Sequence, residues 1–250
     1  MKRRNLVLTG LAGLLVFLGV LGLYLPASWL AATLPSQVQC AELGGSIWRG
    51  ECLGLAIQGG KVGDATWNLA PRRALSGRLV GDVDVRGAAL NARADLDVNF
   101  RGSGELRNVT ARFPLDPSVS AQFPRDQRGN IVVDLRRAVL GEGPALRQLQ
   151  GTIELHDFRQ VGATPLTLGS YRLTFDGVVQ PNGTAMGQLR DLGGPFAIEG
   201  TVTLTPPNAY LVQGFITGRS ADAERLVREI TLGARPDASG RSAFSFEGTY

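Results

Sequence analysis

Leu90-Asn91-Ala92-Arg93-Ala94-Asp95-Leu96-Asp97-Val98-Asn99-Phe100-Arg101 decides the fold class: even positions are apolar and odd positions polar or charged. A period of two places one set of side chains on a core and the other in water, as in a strand of a half-covered sheet. The same alternation recurs outward from this stretch. Leu79, Gly81, Val83 and Val85 flank Asp82 and Asp84, and Ile131, Val133 and Leu135 form a short run. Tyr171, Leu173 and Phe175 alternate with Arg172, Thr174 and Asp176. Phe196, Ile198, Val202 and Leu204 alternate with Glu199, Thr201 and Thr203, and Phe244 and Phe246 close the series. Gly129-Asn130, Pro181-Asn182-Gly183 and Pro206-Pro207-Asn208 read as turns between strands. Strands at this spacing without intervening helices predict a mainly β chain built on antiparallel sheet: a curved sheet, a β-groove or a sandwich. One short helix is expected late in the chain. Ser220 caps it, Ala223, Leu226, Val227 and Ile230 share a face, and Gly233 ends it.

The chain has 250 residues, 44% of them hydrophobic, with 33 Gly and 13 Pro in no fixed short period. That composition fits a folded chain with many turns and excludes collagen and a disordered linker. The sequence pI is about 9.5, but Lys2, Arg3 and Arg4 supply +3 of the net +4 and leave +1 for the rest. Arg72-Arg73 and Arg136-Arg137 are isolated pairs rather than a basic patch with interleaved aromatics, so a nucleic-acid partner is not expected.

Leu6 to Leu25 carries no charge and is 20 residues long. At about 1.5 Å per residue such a helix crosses the ~30 Å hydrocarbon core of a bilayer. The basic cluster before it sets the N-terminus in the cytoplasm, and Tyr24 and Trp29 suit the far headgroup level. Residues 1–5 are therefore expected in the cytoplasm, 6–25 as a transmembrane helix, and 26–250 as a β-rich periplasmic domain anchored in the bacterial inner membrane. The competing reading, a cleaved signal peptide, calls for an apolar core of about 7–15 residues and a small-x-small site. Pro26-Ala27-Ser28-Trp29 does not supply that site. Nor does Gln37-Val38-Gln39 before Cys40 resemble a lipoprotein signal.

Cys40 and Cys52 are the only cysteines, and Gly44-Gly45 between them can turn the chain back. In an exported domain this predicts a disulfide across a hairpin, with two free thiols as the alternative. A metal site would need more ligands, and the one histidine, His156, lies far away. Trp48 follows Gly44-Gly45 in Trp48-Arg49-Gly50, and Trp67 opens Trp67-Asn68-Leu69-Ala70-Pro71. Each suits either a core position or an exposed anchor at a protein interface.

Motifs that carry chemistry are missing. The sequence holds no G-x-S-x-G elbow, no H-E-x-x-H and no Walker A sequence, and Gly102-Ser103-Gly104 lacks the third glycine of a dinucleotide loop. Asp95 and Asp97 read as a solvated strand face rather than an acid–base pair, and His156 as a surface or satisfied side chain. No catalytic residue, cofactor or metal is expected, and the chain is read as non-enzymatic.

Several short pieces, in order, resemble the protein N family of bacterial type II secretion systems. They begin with Leu25-Pro26-Ala27-Ser28-Trp29-Leu30, Gly45-Ser46-Ile47-Trp48-Arg49-Gly50 and Trp67-Asn68-Leu69-Ala70-Pro71, then Leu75 and Gly77. Leu168-Gly169-Ser170-Tyr171-Arg172-Leu173, Gly194-Pro195-Phe196, Gly200, Tyr210, Gly214 and Arg219 follow. Leu232-Gly233, Pro236-Asp237, Gly240-Arg241, Phe244, Phe246 and Gly248 complete the set. The cysteine pair is not part of it. The resemblance implies an accessory, non-catalytic component in the inner membrane that contacts the platform proteins L and M or the outer-membrane secretin. No functional residue carries over. More loosely, the chain resembles exported β-groove proteins that handle lipids on an apolar concave sheet, which makes a lipid-binding or lipid-transfer module the alternative. An open apolar groove would favour lipid, whereas an uncovered edge strand would favour a protein partner. No segment resembles the C-terminal peptide-binding module of the bitopic protein C.

Overall fold

A computed structural model describes residues 22, 24–32, 34–117, 119, 123–142, 146–162, 165–231 and 235–249. The expected membrane span, 6–25, lies almost wholly outside them, as does Gly233. No helix among the described residues is long and apolar enough to cross a membrane.

After a 3-10 turn at Ala27–Ala32 come β1 (Val38–Gln39), β2 (Glu42–Gly45), β3 (Arg49–Ile57) and β4 (Gly60–Leu69). A single helical turn, α1 (Pro71–Ala74), precedes β5 (Arg78–Arg86), β6 (Asn91–Asn99) and β7 (Gly104–Pro114). The long strands follow: β8 (Gln127–Leu140), β9 (Leu146–Gln160) and β10 (Leu166–Val179). β11 (Ala185–Gly193), β12 (Phe196–Thr205), β13 (Ala209–Gly218), α2 (Ala221–Ile230) and β14 (Ser242–Thr249) complete the fold. From β3 to β14 every strand pairs antiparallel with its neighbours in sequence, while β1 and β2 both pair with β3. This is one open meander. The sandwich is therefore corrected, because the strands share a single sheet instead of dividing between two.

Pairing register shows why the alternation matters. Directly opposite residues in antiparallel strands share a face. One row runs Leu43, Cys52, Ala65, Val85, Ala92, Ala111, Val133, Ile153, Leu173, Leu189, Gly200, Gly214, Phe244, from β2 to β14 without a polar residue. A second runs Val109, Leu135, Gly151, Phe175, Gly187, Val202, Val212, Phe246. On the opposite face the row Glu51, Thr66, Asp84, Arg93, Thr110, Asp134, Thr152, Thr174, Gln188, Thr201, Gln213, Ser245 is polar throughout. The apolar face is mostly half-buried, and among the described residues no large side chain is fully buried.

Its best-covered parts are three patches, around Cys52 and Val62, around Phe175 and Ala185, and around Phe196 and Ile216. α2 closes the last of these. The Ser220 hydroxyl accepts from the Ala223 N–H at 3.2 Å, which fixes the helix start. Ala223 and Val227 then turn onto Phe196 and Ile216. Burying one valine side chain there is worth roughly 1.5–3 kcal/mol. Leu226 packs beside them, whereas Ile230 faces water at 45% exposure.

Three local readings change. Gly129-Asn130 is not a turn: it lies inside β8, at a register shift between Arg128 and Asn130 opposite β9. The pairing of Asn130 with Pro114 and His156 overrides the local turn preference. Phe100 leaves the alternation, since β6 ends at Asn99 and the ring is 66% exposed. α1 is the third, started by Pro71 at its first position, where the missing N–H costs nothing. The turns at Pro181-Asn182-Gly183 and Pro206-Pro207-Asn208 join β10 to β11 and β12 to β13.

Candidate functional site

Two corners of the sheet gather the informative residues. At the first, the chain emerging from residue 22 is clasped to the β2–β3 hairpin. A helix end leaves carbonyls without intrahelical donors. Gly22 is helical, and the Trp48 indole N–H donates to its carbonyl at 2.8 Å. The Ile47 N–H donates to Leu25 O at 3.0 Å, and Pro26 forms a bridge with Ser46. The Trp67 indole N–H donates to Ile47 O at 3.1 Å. Its ring lies over Gly50, directly opposite on β3, where any Cβ would collide with it. Both tryptophans are half-buried, and both indole N–H groups are engaged within the chain.

The cysteines meet one strand away. Cys40 and Cys52 are disulfide-bonded with Cα atoms 5.5 Å apart, and Cys52 is buried at 2% exposure among Leu55, Val62 and Ala65. The bond ties the broken edge formed by β1 and β2 to β3. Sequence reasoning singled out Cys40, Cys52, Trp48 and Trp67 separately; the fold brings them into one corner.

The second corner lies at the other end of the meander. Arg219 follows β13 and holds the β11–β12 turn. Its backbone N–H donates to Pro195 O at 2.8 Å, and Nη1 donates to Gly194 O at 2.9 Å and Phe196 O at 3.0 Å. Nη2 donates to Asp191 at 2.6 Å. Burial alone would push the Asp191 carboxyl up, but hydrogen bonds from Arg219, Ile198 and Gly193 outweigh it and hold the group below its ordinary value. Tyr171, paired with Asp191, donates its hydroxyl to Leu168 O, and burial pushes the phenol up to about 12. The Tyr210 ring covers Gly248 on β14; a Cβ there would come within 2.7 Å of the Tyr210 hydroxyl oxygen. Arg241 pairs with Asp237 and lays its guanidinium 4.5 Å over the Phe215 ring.

A cleft of about 760 Å³ opens beside this corner over β11–β14, floored by Gly200 and Gly214 and walled by Phe215 and Arg241. Tyr171, Pro195, Tyr210, Arg219, Asp237, Arg241 and Gly248 all belong to the pieces that carry the resemblance. No local pattern announces their meeting, because Arg219 reaches partners 23 to 28 residues earlier in the chain.

The residues weighed for chemistry are tied up on the strand surface. His156 Nε2 lies 2.7 Å from Glu154, whose other oxygen takes Arg172 at 2.7 Å. Hydrogen bonding from Arg172 leads the causes that hold the Glu154 carboxyl below its ordinary range. Asp97 pairs with Arg78 at 2.7 Å, and Asp95 accepts from Asn108 at 2.7 Å. Among the described residues no group of His, Cys, Asp and Glu could hold a metal ion.

A family model described as type II secretion system (T2SS), protein N matches residues 36–245. The chain is similar to the Type II secretion system protein N of Vibrio cholerae serotype O1, with 22% identity over 225 residues, covering 86% of this chain and 86% of that protein. No solved structure matches.

Proposed function

The chain belongs to the type II secretion system protein N family, and on that premise we propose that it is a non-enzymatic, single-pass inner-membrane component of the secretion machine. It contributes to the export of folded proteins by contacting the inner-membrane platform, the secretin or both. Residues 1–5 lie in the cytoplasm, 6–25 span the bilayer and 26–250 form the periplasmic domain. The observation that carries this reading is the clasp: Trp48 and Ile47 fix the first edge of the sheet to Gly22 and Leu25, at the end of the apolar run. A tether of this kind raises the local concentration of the sheet near inner-membrane partners, so weak contacts suffice. A reporter active only outside the cytoplasm, fused after Tyr250, is expected to be active. Activity of a cytoplasmic reporter at the same position instead would overturn the topology.

A second reading, a lipid-binding β-groove, is favoured by the two continuous apolar rows that traverse the sheet. It predicts a stoichiometric phospholipid in the purified full-length protein. Lipid-free protein after mild detergent extraction would remove it.

A further inference from the structure

Resting on the reading of the chain as a tethered secretion component, we propose that β14 is the docking edge, and that it accepts an extended segment of another secretion protein as an added antiparallel strand. The two edges of the sheet are unlike. The first is made of two short pieces, β1 and β2, of 2 and 4 residues, stapled by the disulfide and clasped by the chain before it. Such an edge is blunted against further pairing. β14 has none of these devices. It is 8 residues long, holds no proline and no lysine, and pairs with β13 in unbroken register. Among the described residues no strand lies on its other side.

What the edge would accept follows from the rows that end on it. Phe244 and Phe246 terminate the two apolar rows, and Ser245 terminates the polar one. An added strand must therefore place apolar side chains opposite both phenylalanines and a polar one opposite Ser245 to continue both faces. Glu247 is the only charged residue of β14, is exposed, and makes no ion pair among the described residues. A basic residue opposite it completes the match. Every pairing in the sheet is antiparallel, and antiparallel ladders are the more stable per residue. The segment then reads, in its own direction, basic, apolar, polar, apolar.

A second copy fits less well. Pairing about Ser245 sets Phe244 against Phe246, but it places Glu247 opposite Ala243 and leaves the carboxylate without a cation. It also puts the two clasped edges at opposite ends of a doubled sheet, on the order of 120 Å apart along its contour.

The test uses the full-length protein in cells, with a photoreactive residue in place of Ser245. The expected product is a cross-link to another secretion protein, mapped to a segment with that four-residue pattern. Glu247→Lys is expected to lower its yield about tenfold, and reversing the partner's basic residue to Glu should restore it. Unchanged capture in Glu247→Lys, or a product made of two copies of this chain, would overturn the proposal. Normal secretion in a strain lacking the protein would instead overturn the broader reading. Secretion lost on deletion, with nothing captured from β14, would sink the edge assignment alone.

Discussion

Arg219 shows how one side chain holds a corner that no strand pairing would hold. Its guanidinium fork reaches two carbonyls and a carboxylate at once, a geometry lysine cannot reproduce. Asp191 is the partner whose charge matters. Its folded value lies below the ordinary 3.8, so its contribution to stability is complete above about pH 4 and lost as pH falls through the lower folded value. Asp191→Asn should therefore lower the thermal midpoint at pH 7 and leave it less changed near pH 2, relative to the unsubstituted protein. Midpoints that differ equally at both pH values would refute the sign. At this scale the sequence was legible only where neighbours along the chain decide the outcome. Cys40 and Cys52 could be paired because two glycines between them turn the chain. Trp48 and Trp67 were visible as unusual residues, but their acceptors, Gly22 and Ile47, were not, since an indole hydrogen bond leaves no periodic trace. Arg219 could be noted but not understood for the same reason.

Among the elements, the first hairpin carries the only covalent constraint. The disulfide closes a loop across 12 positions, and loops of that size are worth about 3 kcal/mol in the chain-entropy model. Cys40→Ser should lower the urea midpoint accordingly, and reduction of the unsubstituted protein should reproduce the loss. If neither moves the midpoint, the hairpin is held by Trp67 and its neighbours without help from the bond. Strands were the most legible elements, because alternation at Leu90–Val98, Tyr171–Phe175 and Phe196–Leu204 is sustained and cannot be mistaken for a helix. Their lengths were less so. Ile131 to Leu135 reads as a short run, yet β8 is 14 residues long. Its N-terminal end, Gln127 to Asn130, carries no apolar period, and Arg136-Arg137 interrupts the alternation before Ala138; pairing with β7 and β9 carries the strand through both stretches. α2 was legible from Ser220 and its apolar face, whereas α1 was too brief to leave a period.

The described residues form a meander in which each strand from β4 onward bonds only to its neighbours in sequence. Alternation indicated an antiparallel sheet, but not that it would stay single and open. That outcome depends on whether the apolar faces of distant strands meet, which no local window contains. The arrangement is nearly one-dimensional, so stability should be propagated by neighbour contacts rather than shared through one core. Amide hydrogen exchange is expected to be slowest in β8–β10, whose strands are longest and paired on both sides, and fastest toward β14. Uniform protection across all strands would mean that the sheet opens only as a unit. The strand order also bears on how such a domain is made. A chain delivered from its N-terminal end presents β3 before β4 and each later strand to an edge already finished, so no strand has to wait for a distant partner. The disulfide can seal the first hairpin as soon as β3 is in place, before the later strands have joined the sheet.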